Sequence, residues 1–217
     1  MKKYNTLAAL ATLVTLASSS GATTLSYLDI ARANIGSSNN LTTSGSTSTL
    51  AAGDSGTTSD IYRTLINFDL SAYATEIASA TQITFSVRAS QTLGVGADIY
   101  LTALDTDQAS ASFAQGTASG TTLAGFYASP SAGDTLTFDV TALVKADALA
   151  GDYSSFRIES QHSANDGNSN ADMVRFGVIP NTDDATYPVT LTIIPEPGTS
   201  LLGLLGLGTA LVRRKRA

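Results

Sequence analysis

From residue 61 onward, apolar and polar side chains trade places at nearly every step. In ITFSVRA, Ile83, Phe85 and Val87 fall on one side, with Thr84, Ser86 and Arg88 on the other. DTLTFDV groups Leu136, Phe138 and Val140 in the same way, and SFRIES groups Phe156 and Ile158. MVRFGVI groups Val174, Phe176 and Val178, and YPVTLTI groups Val189, Leu191 and Ile193. INFDL offers Ile66, Phe68 and Leu70, and ADIYLTAL is a further apolar run. A period of two is the signature of a strand with one face buried. Stretches rich in Gly, Ser, Thr, Asn and Asp separate these segments, while SAYATEIA and TALVKADALA read as short helices or single helical turns between strands. The pattern predicts about eight or nine strands in one domain, all-β, built as a single antiparallel β-sandwich of two sheets. No internal repeat or second domain is visible.

The two ends follow another rule. Lys2 and Lys3 precede an uncharged stretch over residues 6–17, and SSSGA follows. A cationic start, an apolar segment too short to span a bilayer, and small residues at Ser20 and Ala22 read as a signal peptide over residues 1–22, cleaved after Ala22. Near the other end, Pro195, Glu196 and Pro197 lead into an uncharged, Leu- and Gly-rich run over residues 198–212, and Arg213, Arg214, Lys215 and Arg216 follow it. As a helix this run reaches roughly 22 Å, against about 30 Å of hydrocarbon, and the four cations act as a stop-transfer signal on the cytoplasmic side. The prolines keep the tripeptide extended and poor in backbone donors. The expected organisation is therefore a domain over residues 23–194 between a removable leader and a C-terminal segment over 195–217, made of the Pro-Glu-Pro motif, a membrane helix over 198–212 and the basic tail.

Removing the ends changes the charge. Six of the twelve basic residues lie in the terminal segments, so residues 23–197 keep six basic and all eighteen acidic residues, a net charge of −12. Such a domain is repelled by nucleic acid and by anionic membranes, which excludes nucleic-acid binding. The chain has no cysteine. Thiol catalysis and thiolate zinc sites are excluded with it, and a domain of this size folds without disulfides.

Little else points to chemistry. His162 is the single histidine, no G-x-S-x-G elbow exposes a serine, and Glu76 and Glu159 are the only glutamates of the domain. No enzymatic activity is expected. In NDGNSNAD, Asp166, Asn168, Asn170 and Asp172 recur at every second residue, a spacing that converges oxygen ligands on one calcium ion. The positions that an EF-hand requires as Gly and Glu are Ala171 and Gly177, so this is not an EF-hand, and a plain polar turn is the competing reading. Asp105 and Asp107 form a weaker acidic pair that more simply ends a strand. Tyr62, Tyr100, Tyr127, Tyr153 and Tyr187 are candidate sugar platforms as well as candidate core residues.

Two resemblances add to this reading. Pro195, Glu196 and Pro197, the Gly/Leu span and the basic tail resemble the PEP-CTERM sorting signal, over about the last twenty-three residues. The resemblance implies an exosortase-type membrane protease as partner, transient residence in the inner membrane, and delivery to the surface or matrix of an exopolysaccharide-making Gram-negative bacterium. Arg63, Phe68, Asp69, Leu70 and Ser71, then Ile77, Ala80 and Thr81, with FDVTALV and YPVTLTI further on, resemble the DNRLRE type of jelly-roll module across most of residues 25–194. Some members of that group bind acidic polysaccharides, and this chain departs from it in having no tryptophan. The expectation is an exported, non-enzymatic surface or matrix protein with a structural or adhesive domain associated with exopolysaccharide. The alternative is a carbohydrate-binding module with a defined glycan site, assisted by calcium or not.

Overall fold

The computed structural model describes residues 21–43, 50–56, 60–94, 97–105, 108–118, 121–160, 171–176 and 189–196. Within them lie twelve strands: β1 (Thr23–Ser26), β2 (Asp29–Ile35), β3 (Asn40–Thr43), β4 (Leu50–Asp54), β5 (Ile61–Asp69), β6 (Ala80–Leu93), β7 (Ile99–Leu104), β8 (Thr121–Tyr127), β9 (Thr135–Asp139), β10 (Tyr153–Ser160), β11 (Met173–Phe176) and β12 (Thr190–Pro195). Three helices interrupt them: α1 (Ala74–Ser79), α2 (Phe113–Thr117) and α3 (Thr141–Ala150).

Every pairing is antiparallel. The order β1-β12-β6-β11-β4-β5-β10-β7-β8 is continuous, with β2 and β3 branching from β5 and β9 branching from β6. The two separate sheets expected from the sequence are therefore one curled sheet. The joint is β6. Its first half pairs with β12 and β9, while its second half pairs with β11.

The alternating positions bury as the pattern requires. Ile83, Phe85 and Val87 are fully enclosed, as are Ile66, Phe68, Phe156, Ile158, Leu191 and Ile193. Phe85 of β6 meets Phe156 of β10 at 5.4 Å between ring centroids and Phe68 of β5 at 6.1 Å, so the core is shared by the two halves of the curl. Each such ring contributes about 1.5–3 kcal/mol by burial. The two predicted helices are α1 and α3, and Ile77 and Val144 are their buried anchors.

Alternation fails where both faces are covered. In β5, Leu65 and Asn67 are as buried as Ile66 and Phe68, and in β10 Arg157 is buried between Phe156 and Ile158. The cover is α2, a single turn closed by a capping box between Ser112 and Gln115. Among the described residues no helix is long and apolar enough to cross a membrane. The run over 198–212, Pro197, Arg213, Arg214, Lys215 and Arg216 lie outside the described residues, as does the leader up to residue 20.

Candidate functional site

Strand register builds a polar surface at the place where β2, β3, β5, β4 and β11 meet. Asn34 of β2 lies opposite Tyr62 of β5 on one side and Asn40 of β3 on the other. Arg32, two residues earlier on the same face, lies between Thr64 and Thr42. Gly53 of β4 faces Tyr62 from the far side. Its φ of +130° and its contact with Asp172 and Met173 leave no room for a Cβ, so glycine lets β11 approach beside the tyrosine. Arg175 of β11 then stands between Ala51 of β4 and Gln91 of β6.

The side chains fix one another. The Arg32 guanidinium carbon sits 4.4 Å from the centroid of the Tyr62 ring, a cation–π contact, and Nε donates to Asn34 Oδ1 at 2.9 Å. Asn34 Nδ2 donates to Asn40 Oδ1 at 2.6 Å and to Thr42 Oγ1 at 3.4 Å. Arg175 Nη1 donates to Gln91 Oε1 at 3.0 Å. Asn34 is buried, whereas Arg32, Tyr62 and Arg175 are half-buried and Gln91 and Asn40 are exposed. Burial lowers the Arg32 pKa below its ordinary value, Tyr62 and Asp60 oppose this, and the nearby Arg175 charge adds to it. The charges of Arg32 and Arg175 act on each other across Thr64 and Ala51, and an anionic or strongly accepting ligand set between them would ease that repulsion.

Asp60 supports the surface from below. Buried, it accepts from Ser37 Oγ at 3.0 Å and from the Ser38 N–H at 2.9 Å, as well as from Ser38 Oγ. Burial pushes its carboxyl up, but these hydrogen bonds outweigh that and hold it below the usual aspartate range. The loop it pins leads directly into β3, which carries Asn40 and Thr42.

A second charged group lies under α2. Arg157 Nη1 donates to the carbonyls of Gln115 at 3.1 Å and Ala118 at 2.9 Å, and Nη2 donates to Glu159 Oε1 at 2.9 Å. Arg63 Nη1 donates to the Gly116 carbonyl at 2.6 Å, and its Nε lies 3.1 Å from Glu159 Oε2 without making a hydrogen bond. That contact is an ion pair alone. Arg63 thus ties a helix end to the sheet.

The residues singled out in the sequence fall in several places. Tyr62 is in the polar surface. Tyr100 packs at a tilt against Phe126, Tyr127 meets Phe138 edge-on in the core, and Tyr153 opens β10. Asp172 is buried, accepts the Asp54 N–H on its carbonyl at 3.0 Å, and has its carboxylate over Gly94. Asp166, Asn168, Asn170, His162, Asp107 and Tyr187 lie outside the described residues. Among the described residues no group of three carboxylate, histidine or cysteine side chains is placed to hold a metal ion. Pro195 ends β12 opposite Ala80, and the exposed Glu196 donates its N–H to the Ser79 carbonyl at 3.1 Å.

Sequence reasoning passed over Arg32, Asn34, Asn40, Thr42, Gln91 and Arg175. One signal was available: the domain keeps only six basic residues, and two of them converge here.

No curated protein matches the chain. Residues 16–173 match carbohydrate-binding module family 96, and this chain belongs to that family, CBM96.

Proposed function

We propose that the protein is a non-catalytic glycan-binding module whose glycan site is the Arg32–Tyr62–Arg175 surface. It works outside the cell, at the surface or in the matrix, after sorting through its C-terminal segment. The observation that carries the site is a guanidinium stacked on a tyrosine ring, set on one face with three amides and, across Thr64 and Ala51, a second guanidinium. Amides and guanidiniums recognise hydroxyl and carboxylate oxygens, and the Tyr62 ring holds the Arg32 guanidinium in place for them. Net charge argues against an anionic polysaccharide at long range, but salt screens that repulsion within about 8–10 Å. At contact the two arginines dominate, which favours a glycan bearing carboxylates.

Calorimetric titration with neutral and uronate-containing oligosaccharides tests this. Arg32→Ala and Arg175→Ala should each weaken binding by about ten- to a hundredfold, the value of one charged hydrogen-bonding group. Full affinity in both variants, with folding intact, would remove the site. Parallel titrations in millimolar calcium and in chelator test the calcium reading of residues 166–172. An affinity unchanged by chelator disposes of it.

A further inference from the structure

Tyr62 and Arg63 are consecutive in β5 and point to opposite faces of the sheet. The face away from the Arg32 surface carries a row of its own. Tyr100 of β7 lies opposite Phe126 of β8 on one side and Glu159 of β10 on the other. The Arg63–Glu159 ion pair extends the row to β5. At about 4.8 Å per strand it runs about 14 Å across the sheet.

Its character changes along its length. Phe126 is 49% exposed and Leu123, on the same face, 59%. The Tyr100 ring lies 5.0 Å from the Phe126 ring, tilted by 44°, so the two form a stepped aromatic floor. Next to it the Glu159 carboxylate is held in place. Oε1 accepts from Arg157 Nη2 at 2.9 Å and from Thr102 Oγ1 at 3.3 Å, while the side chain keeps 15% of its surface open. Arg157 is itself buried and anchored to the carbonyls at the end of α2. An aromatic floor ending at a fixed, partly open carboxylate is a specific arrangement. Aromatic faces take sugar C–H faces, and a carboxylate with unused lone pairs accepts from sugar hydroxyls but repels sugar carboxylates. Both guanidiniums here, Arg63 and Arg157, are turned onto Glu159 and the carbonyls at the end of α2, and the carboxylate is the acceptor left partly open beside the aromatic pair.

We propose that this row is a second binding site, for a neutral hexopyranose chain. One sugar ring rests on Phe126 and Tyr100, and hydroxyls of the next donate to Glu159. The site lies on a different face from the Arg32 surface and takes a different class of ligand, so either can fail without the other.

The test uses the full chain and three neutral probes: cellohexaose, laminarihexaose and maltohexaose. At least one should bind by calorimetry and shift the ring signals of Tyr100 and Phe126 in NMR spectra. Phe126→Ala, an exposed position, should weaken it by up to about tenfold, Phe126→Tyr should restore it, and Arg32→Ala should leave it unchanged. Failure of all three probes to bind would overturn the proposal, as would loss through Arg32→Ala. A dimer in light scattering that Phe126→Ala dissolves would assign the patch to a second copy of the chain, and would overturn it too.

Discussion

Thr141 holds two chain segments together through one oxygen. Its hydroxyl donates to Asp139 Oδ1 at 2.6 Å and accepts the Ile83 N–H at 2.7 Å, at the start of α3. Thr141→Ala should cost about 1–3 kcal/mol, because it leaves the Ile83 donor without its acceptor next to the core. Part of the loss should depend on pH. Hydrogen bonds from the Thr141 hydroxyl and N–H hold the Asp139 carboxyl below the ordinary range. A depressed carboxylate stabilises the fold above its unfolded pKa, about 3.9, and that contribution disappears as pH falls through the lower folded value. Urea unfolding at pH 7 and pH 3 checks both parts: the gap between variant and parent should narrow at pH 3. An equal gap at both values would mean that Asp139 has no share in it. At this scale the sequence was least informative. The FDVTALV motif around Thr141 was visible as a strand end, but Arg32 and Arg175 become neighbours only through β4 and β5, and nothing local to either records that.

Strands whose apolar residues alternate were legible, even in β5 and β10 where both faces are covered, whereas β4 and β8 were not. β4 is buried at all five positions, so its LAAGD offers no period. In β8 the apolar Leu123 and Phe126 are exposed, and glycine lies between them. The reason for that glycine is packing. A Cβ on Gly125 would meet the Phe138 ring of β9, so β8 rests directly on an aromatic face. Gly125→Ala should destabilise by about 1–3 kcal/mol as an overpacking change, and should loosen β8 before the rest of the sheet. Thermal unfolding measures the first effect and amide exchange the second. A melting temperature equal to the parent's would show that β8 moves aside freely. The short α2 was equally hidden, since its capping box sits in a Ser- and Ala-rich stretch without apolar periodicity.

For the molecule as a whole, period two predicted a β domain correctly but gave two sheets where the chain forms one. The difference is β6, whose fourteen residues run on past the apolar ITFSVRA into a polar stretch that pairs with β11. Pairing partners are set by register, which alternation along a single strand does not specify. The ends of the molecule carry the sorting proposal. Pro195 and Glu196 lie flush against Ala80 and Ser79, and Glu196 is exposed. Replacing Pro195, Glu196 and Pro197 by alanine should leave the domain folded but accumulate an uncleaved, membrane-bound form. Mass spectrometry of exported protein decides the matter, because peptides from residues 201–212 in matrix material would show that the tail is kept.

β12 lies between β1 and β6, and Thr24 and Thr192 face each other across a separation of 168 residues. Until β12 has been synthesised, the edges of β1 and β6 that it joins have nothing between them. Contacts this distant in sequence form late and slowly. The curl therefore closes at this edge only once β12, the last of the described strands, has joined β1 to β6.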